Sequence, residues 1–339
     1  MRVWTLIARR VLLSGLVLLL VSLVMFSLMH AIPGDPIDAI IGERQADQPE
    51  VRAQFERLYG LEKPLPVQYL YYLKNLVRGD LGISISTRQP VSEELRRSIP
   101  ATFELAFAAM MISLSLGIPL GIVAAIRKDQ WPDKAARLIA VTGASIPIFW
   151  LGLLIAHVFS YRLQWLPRSG QLEIGMREPD RVTGFTSIDS LLSGEFDVFV
   201  SFVRHIILPA VVLAIFSLGI VTRMLRSTLV TVLSDDYVRT ARAKGLPERK
   251  VIVGHALRNA LIPTVTVIGL TFSGLLTGAA IVETIFSWPG LGQLAVRMAF
   301  NFDYPGLIGA TLAIAVIYIV VSLVVDVMYT LLDPRIRVG

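Results

Sequence analysis

Six stretches of this 339-residue chain contain no Asp, Glu, Lys or Arg. Each is long enough as a helix to cross about 30 Å of hydrocarbon. They are 11–29, 105–126, 138–161, 205–222, 259–282 and 304–325, the fourth being the shortest. Lipid offers no partner for backbone N–H and C=O groups, so each is expected to cross as a helix. The expectation is an all-α, polytopic membrane protein with six transmembrane helices. Only 17% of the residues are charged, against about 25% in soluble domains. The net charge of +6 would suit nucleic acid, but the basic residues sit beside the apolar runs, which points to membrane lipid instead. With no cysteine there are no disulfides or thiolate metal sites.

Arg2, Arg9 and Arg10 precede the first run, as in a signal peptide. That run exceeds the usual apolar core of about 7–15 residues and no A-x-A cleavage site follows, so it reads as a retained anchor. The positive-inside rule places both termini in the cytoplasm. The segments that would then lie inside hold 17 of the 32 Lys and Arg residues, including Arg127, Lys128, Lys134 and Arg137 in one short loop.

The first outer segment opens with the turn Pro33-Gly34-Asp35-Pro36. Amphipathic spacing predicts short helices over 49–59 and 66–77, stopped by Gly60 and Gly79, and a third over 89–99 with Val91 and Leu95 inward. This segment reads either as an external docking cap or as a packing layer on the membrane surface. The second outer segment, 162–204, reads as loop with short helices.

The longest inner segment, 223–258, carries most of the functional inference. Ser234, Asp235 and Asp236 supply capping oxygens for a short helix over 237–244, with Val238 and Ala241 on its apolar side. Gly245 ends it and Pro247 starts a second helix over 247–259. The hairpin bears Arg239, Arg242, Lys244, Arg249 and Lys250, which would either enter a groove on another protein or simply hold the loop inside.

The run Arg239-Thr240-Ala241-Arg242-Ala243-Lys244-Gly245-Leu246, followed by His255-Ala256-Leu257-Arg258-Asn259, resembles the cytoplasmic coupling loop of bacterial ABC importer permeases, specifically their dipeptide/oligopeptide/nickel branch. Gly245, Ala241 and Leu257 fit that loop pattern, while Arg239, Thr240, His255 and Arg258 depart from it. Gly79-Asp80-Leu81-Gly82, Ser145-Ile146-Pro147-Ile148-Phe149-Trp150, Glu283-Thr284-Ile285-Phe286-Ser287-Trp288-Pro289-Gly290-Leu291-Gly292, Asp303-Tyr304-Pro305 and Asp333-Pro334-Arg335 are similar to the branch's recurrent signatures. The surroundings of Thr183-Gly184-Phe185 and Ile188-Asp189 resemble its dipeptide members most.

The resemblance implies a type I importer permease fold in the bacterial inner membrane. It divides the chain into a cytoplasmic tip and first span (1–30), an external cap (31–100) and a permease core (101–339). It also implies a homologous second permease subunit, two cytoplasmic ATPases that bind ATP and Mg, and an extracytoplasmic solute-binding protein. No cofactor is expected on this chain, which lacks a G-x-x-x-x-G-K-[ST] loop. The implied ATPase-coupling residues are Asp236, Tyr237, Arg239 to Leu246, His255, Arg258 and Asn259, with Thr240, Ala241, Arg242, Ala243, Lys244 and Gly245 at the bend. Small residues in the fifth span, Ser273, Gly274, Thr277 and Gly278, either pack a neighbour or line a path. Glu283, Trp288 and Pro289 are assigned to an outer gate, with Trp288-Pro289-Gly290 a rigid external turn. Dipeptides or short peptides are the expected cargo, with nickel chelates or glutathione as alternatives.

Prolines 119, 147, 209 and 263 are expected to bend their helices. Glu104, Glu283 and Asp326 read as interfacial groups that water reaches, and His157 as a packing histidine. A secondary transporter would show carboxylates at mid-membrane and inverted repeats, and neither is visible. Motifs of intramembrane hydrolases are also missing.

Overall fold

The computed structural model describes residues 3–31, 48–50 and 63–332. The expected helix over 49–59 lies mostly outside them, as do the turn at 33–36 and the motif at 333–335. Among the described residues the protein is helical, with one isolated β-bridge between Ile83 and Pro90. The elements are α1 (Val3–Ala31), α2 (Leu65–Val77), α3 (Val91–Ile126), α4 (Trp131–Ser145), α5 (Ile148–Ala156), α6 (Thr186–Leu192), α7 (Phe196–Leu233), α8 (Asp236–Ala243), α9 (Glu248–Lys250), α10 (Leu257–Gly278), α11 (Ala280–Ile285), α12 (Leu291–Phe300) and α13 (Tyr304–Leu332). A π-helical turn follows α5 at His157–Arg162, and another joins α9 to α10 at Val251–Ala256.

Five helices are long and apolar enough to span a membrane continuously, and the third expected span is a bent pair. Its halves, α4 and α5, meet at 98°. The break falls at Ile146-Pro147. A residue before proline avoids the helical region, and Ile146 is extended at φ −80°, ψ 127°. Pro119, Pro209 and Pro263 instead lie inside continuous helices. Pro119 sits between Gly117 and Gly121, where α3 runs tight against α7: a methyl on Gly121 would lie 3.1 Å from the Thr222 carbonyl and from Leu225 Cβ. That packing holds α3 in register across its proline.

The short helix expected over 89–99 is the first part of α3. Pro100 does not end it, and the division at residues 100/101 falls inside this 36-residue helix. At about 1.5 Å per residue α3 is roughly 54 Å long, well beyond a bilayer core. The central α7 is longer still, at 38 residues. The main core joins α3, α7, α10 and α11 around Leu105, Ala109, Leu213, Leu276, Val282 and Trp288. The outermost helix, α1, exposes Leu12, Leu16, Leu20 and Val24. It is tied to α13 by Arg10–Asp326 at 2.6 Å and to α2 by Ser22 Oγ–Tyr69 OH at 2.9 Å.

Two interfacial assignments, Glu104 and Glu283, are corrected. Both are buried, as is Trp288 within the turn assigned to the outside. Gln171 and Ser187 donate to Glu104 in α3, and the Gln293 N–H donates to Glu283 in α11. His157 is exposed on the bundle surface, stacked on Tyr161 at 5.4 Å, rather than packed inside it.

Candidate functional site: the inner hairpin and the groove beside the broken span

The hairpin begins where α7 ends. Ser234 donates its hydroxyl to the Thr231 carbonyl at 2.6 Å, so it closes α7. Asp235 occupies the cap position of α8 without a side-chain capping bond. Local backbone bonds thus replace the side-chain cap expected from sequence. Val238 and Ala241 of α8 turn inward onto Leu225 and Leu229 of α7, Ala125 of α3, and Val251, Ala256 and Ala260. This apolar plug seats the hairpin on the inner ends of α3, α7 and α10.

Gly245 has φ +76°, a left-handed conformation that costs an L-residue about 1–2 kcal/mol. Its N–H donates to the Arg242 carbonyl at 2.9 Å and the Leu246 N–H to the Ala241 carbonyl at 3.4 Å, closing the C-terminus of α8. Two further contacts cross the bend. Arg242 donates Nε and Nη2 to Glu248 at 3.2 and 2.8 Å, and Asn259 Nδ2 donates to the Tyr237 hydroxyl at 2.7 Å. Asp236, Tyr237, Arg239, Thr240, Arg242, Ala243, Lys244, Gly245, His255, Arg258 and Asn259 are exposed, and Leu246 is half-buried. The residues assigned to coupling therefore present a mainly basic exposed surface, with Ala241 turned into the apolar plug.

Sequence reasoning counted Asp133 and Arg226 only as charges that set orientation. The side chain of Asp133 is fully buried and accepts from Arg226 Nε and Nη2 at 2.5 and 2.7 Å. Arg137 approaches it to 3.2 Å and the Asp129 N–H donates to it at 2.8 Å. This clamp fastens α4, the inner half of the broken span, to α7 one residue beyond Leu225 of the plug. An acid four residues before a basic residue in a short inner loop was the available signal; the partner on α7 is distant in sequence.

The fifth-span residues divide between two faces. Gly274 and Gly278 are exposed on an apolar groove of about 660 Å³ that runs between Ile146 and Ile148 at the break, Phe216 of α7, and Leu270 of α10. Ser273 is buried on another face, with its hydroxyl donated to the Gly269 carbonyl. Half-buried Thr277 bonds back to its own helix.

Two of the three residues assigned to a gate, Glu283 and Trp288, belong to a buried polar network at the end of the bundle opposite the hairpin. Glu283 accepts from Thr102 Oγ1 at 2.7 Å and from the Gln293 N–H at 2.9 Å. The same Thr102 oxygen accepts the Leu291 N–H at 2.7 Å. Trp288 donates Nε1 to the Ala101 carbonyl at 2.8 Å and packs on Phe202. Pro289 alone of the three is exposed. Any side chain at Gly290 would collide with the Glu283 carboxylate.

Two motif aspartates found outside the spans are explained by similar networks. Asp303 is buried and accepts from Ser84 Oγ (2.5 Å), Ser86 Oγ (2.7 Å) and the N–H groups of Ser86 and Gly306 (both 3.1 Å). Asp189 accepts from the N–H and hydroxyl of Thr183 and from the Gly184 N–H at 2.7–2.9 Å. Burial pushes both carboxyls up, but these donors outweigh it and hold both below the usual carboxylate range.

A helical bundle with one sharply broken span and a basic hairpin projecting from its inner end is the architecture of a transport permease. Residues 117–338 match the family of binding-protein-dependent transport system inner membrane components, and residues 3–106 match the family of its N-terminal part. The chain belongs to this family. It is 44% identical over 341 residues to the probable D,D-dipeptide transport system permease protein DdpB of Escherichia coli K12, covering 100% of this chain and 99% of that one. It is 45% identical to the di/tripeptide transport system permease protein DppB of Pseudomonas aeruginosa, over 94% of each. Identity to the oligopeptide transport system permease protein AppB of Bacillus subtilis is 39%, over 98% of each. Among solved structures, an inward-facing MetNI methionine ABC transporter chain shares the fold, with a TM-score of 0.53 at 14% identity, covering 70% of this chain and 96% of that one. The protein is a multi-pass inner-membrane transport component with a type I importer permease fold.

Proposed function

We propose that this chain is one of two homologous membrane subunits of an ATP-driven importer of dipeptides or short peptides. In this reading it forms half of the translocation path, with cargo delivered by an extracytoplasmic binding protein. The similarity across nearly the whole chain to permeases named for dipeptides and tripeptides carries the choice of cargo over nickel chelates or glutathione. Two partner ATPases bind ATP and Mg, and this chain binds no cofactor. Both termini lie in the cytoplasm.

The basic face from Asp236 to Leu246, with His255, Arg258 and Asn259, is the surface the ATPases push. The apolar plug under it transmits that motion to α3, α7 and α10 as a rigid unit. The groove along Gly274 and Gly278 faces either the path or the second permease; Thr277 stands beside it. The segment 31–100, with α2 and the start of α3, is the external cap, and 101–339 the core.

The test is reconstitution of this chain with its second permease, ATPases and binding protein in proteoliposomes, followed by uptake of labelled dipeptide. Uptake is expected only with ATP on the ATPase side. Uptake without ATP, or a hairpin deletion that leaves uptake intact, would refute the proposal. Because the chain has no native cysteine, a single Lys244→Cys reports cleanly on which face the hairpin occupies.

A further inference from the structure

At the end of the bundle opposite the hairpin, a pocket of about 340 Å³ opens beside the start of α3. From Ala125 in the plug to Ser98 in this pocket is roughly 40 Å along α3, at about 1.5 Å per residue. The pocket's size falls within the range of small-molecule sites, roughly 300–1,000 Å³. Ser98 and Ala101 line it from α3, and Pro289 forms a wall. That wall is rigid, since the neighbouring Trp288 is buried and bonded to the Ala101 carbonyl. That side of the pocket is therefore fixed in place.

Three guanidiniums surround the pocket: Arg97, Arg181 and Arg297. Each side chain is about half exposed, at 52%, 47% and 55%. Each makes one carboxylate contact: Arg97 Nε with Glu93 at 3.3 Å, Arg181 Nη2 with Glu178 at 2.8 Å, and Arg297 Nη2 with Glu94 at 3.2 Å. A guanidinium carries five N–H donors in a fixed fork. None of these three is gripped by two parallel bonds, in contrast to Arg226 on Asp133 and Arg242 on Glu248. Most of their donors thus have no protein acceptor among the described residues. Of the acids that also line it, Glu94 is paired with Arg297 and Asp189 is held by Thr183 and Gly184, while Glu178, 67% exposed, adds the opposite sign at the surface.

We propose that this pocket is a receiving site for the free C-terminal carboxylate of a short peptide, bound by Arg97, Arg181 and Arg297, with Glu178 facing the peptide's ammonium. The proposal rests on the peptide-importer reading above. Forked guanidiniums match a carboxylate in geometry as well as charge. The two charges of a dipeptide lie within about 7 Å of one another, so a pocket carrying both signs suits a zwitterion. An acidic side chain presented by a protein would gain from the arginines but be repelled by Glu178.

The test uses the assembled transporter in nanodiscs without binding protein, titrated with alanyl-alanine and with its C-terminal amide. The free acid is expected to bind at least roughly tenfold more tightly than the amide, the scale of one charge-assisted hydrogen bond. The double variant Arg97→Gln/Arg181→Gln is expected to lose that preference. Both of its ion pairs are exposed and add little stability, so its thermal midpoint should match the wild type; the acid–amide comparison on the wild type needs no variant at all. Equal affinity for acid and amide, no binding of either, or a preference that survives the double variant would overturn the proposal. ATP-driven uptake of alanyl-alanine by the wild-type complex separates the two levels. No uptake overturns the importer reading, whereas uptake without an acid preference in binding overturns the pocket alone.

Discussion

Replacing Asp133 with Asn tests whether its clamp to Arg226 organises the hairpin end of the bundle. The substitution conserves shape, so the change is chemical. Asp133 presents acceptors to the Nε and Nη2 of Arg226, to Arg137 and to the Asp129 N–H. Asn offers one neutral acceptor and turns an NH₂ toward a guanidinium that only donates. Breaking a buried pair by removing one charge costs about 3–5 kcal/mol. Arg226 retains 19% exposure, so water recovers part of that, leaving about 3 kcal/mol. At roughly 2 °C per kcal/mol for a chain of this size, the thermal midpoint of the purified complex should fall by roughly 6 °C.

A double-mutant cycle with Arg226→Gln isolates the pair from the other donors. A coupling of about 1–3 kcal/mol is expected, because the second substitution removes the charge the first leaves unpaired. The same variant should reduce transport per ATP hydrolysed, since the clamp anchors α4 one residue from the plug beneath the hairpin. A midpoint within 1 °C of wild type, together with additive single effects, would refute the reasoning.

Asp303 predicts an acid-dependent loss. Its folded carboxyl lies below the ordinary range, so its contribution is fully present above the unfolded value of about 3.9 and disappears as pH falls through the folded one. Asp303→Asn should therefore destabilise at pH 7, and the gap to wild type should begin to close only below about pH 4 and vanish once pH has passed the lower folded value, read as the difference in thermal midpoints. Gly292→Ala should cost about 1–3 kcal/mol, because its methyl would strike the Ala280 backbone, whereas Gly274→Ala and Gly278→Ala meet nothing within 4 Å and should stay within about 0.5 kcal/mol. Denaturation of the three variants compares them. Gly245→Ala has open space but φ +76°; it should lose about 1 kcal/mol and Gly245→Asn less, measured as ATP-coupled uptake alongside stability.

Part of the local structure was legible. Absence of charge located the spans, and the spacing of Val238 and Ala241, with Gly245 and Pro247, gave a bend between two helical segments with those two side chains inward. Pro147 marked a bend, but its size was not legible, because Pro119 and Pro263 follow isoleucine too and lie within continuous helices. The difference arises from packing: α3 is pressed along its length onto α7, while Ile146 and Ile148 border an open groove. Likewise nothing within α3 shows that Pro100 lies inside a helix whose earlier residues, Val91 and Leu95, pack on Leu291, Leu294 and Met298. The burial of Glu104, Glu283 and Trp288 depends on partners 83, 181 and 187 residues away. Such pairings leave no local periodicity.

These distant pairings have a common energetic logic. Helices in lipid gain little from hydrophobic association with one another, so polar contacts at the watery ends are available to fix their order. A carboxylate buried there is costly unless donors saturate it. At the end opposite the hairpin, hydroxyls and backbone N–H groups from other segments bind Glu104, Glu283 and Asp303, and each network then requires its partner segment to be folded as well as its helix. Withdrawing one segment would leave a buried acid without its partners, so these segments belong to the frame and not to a soft cover. At the inner end the corresponding carboxylate, Asp133, is satisfied by an arginine on another helix, and the hairpin beside it rests on apolar contacts. Apolar surfaces tolerate sliding and re-seating without stranding a charge. The molecule is therefore cross-linked by buried acids at the end opposite the hairpin, while the Ile146–Pro147 break borders an open apolar groove.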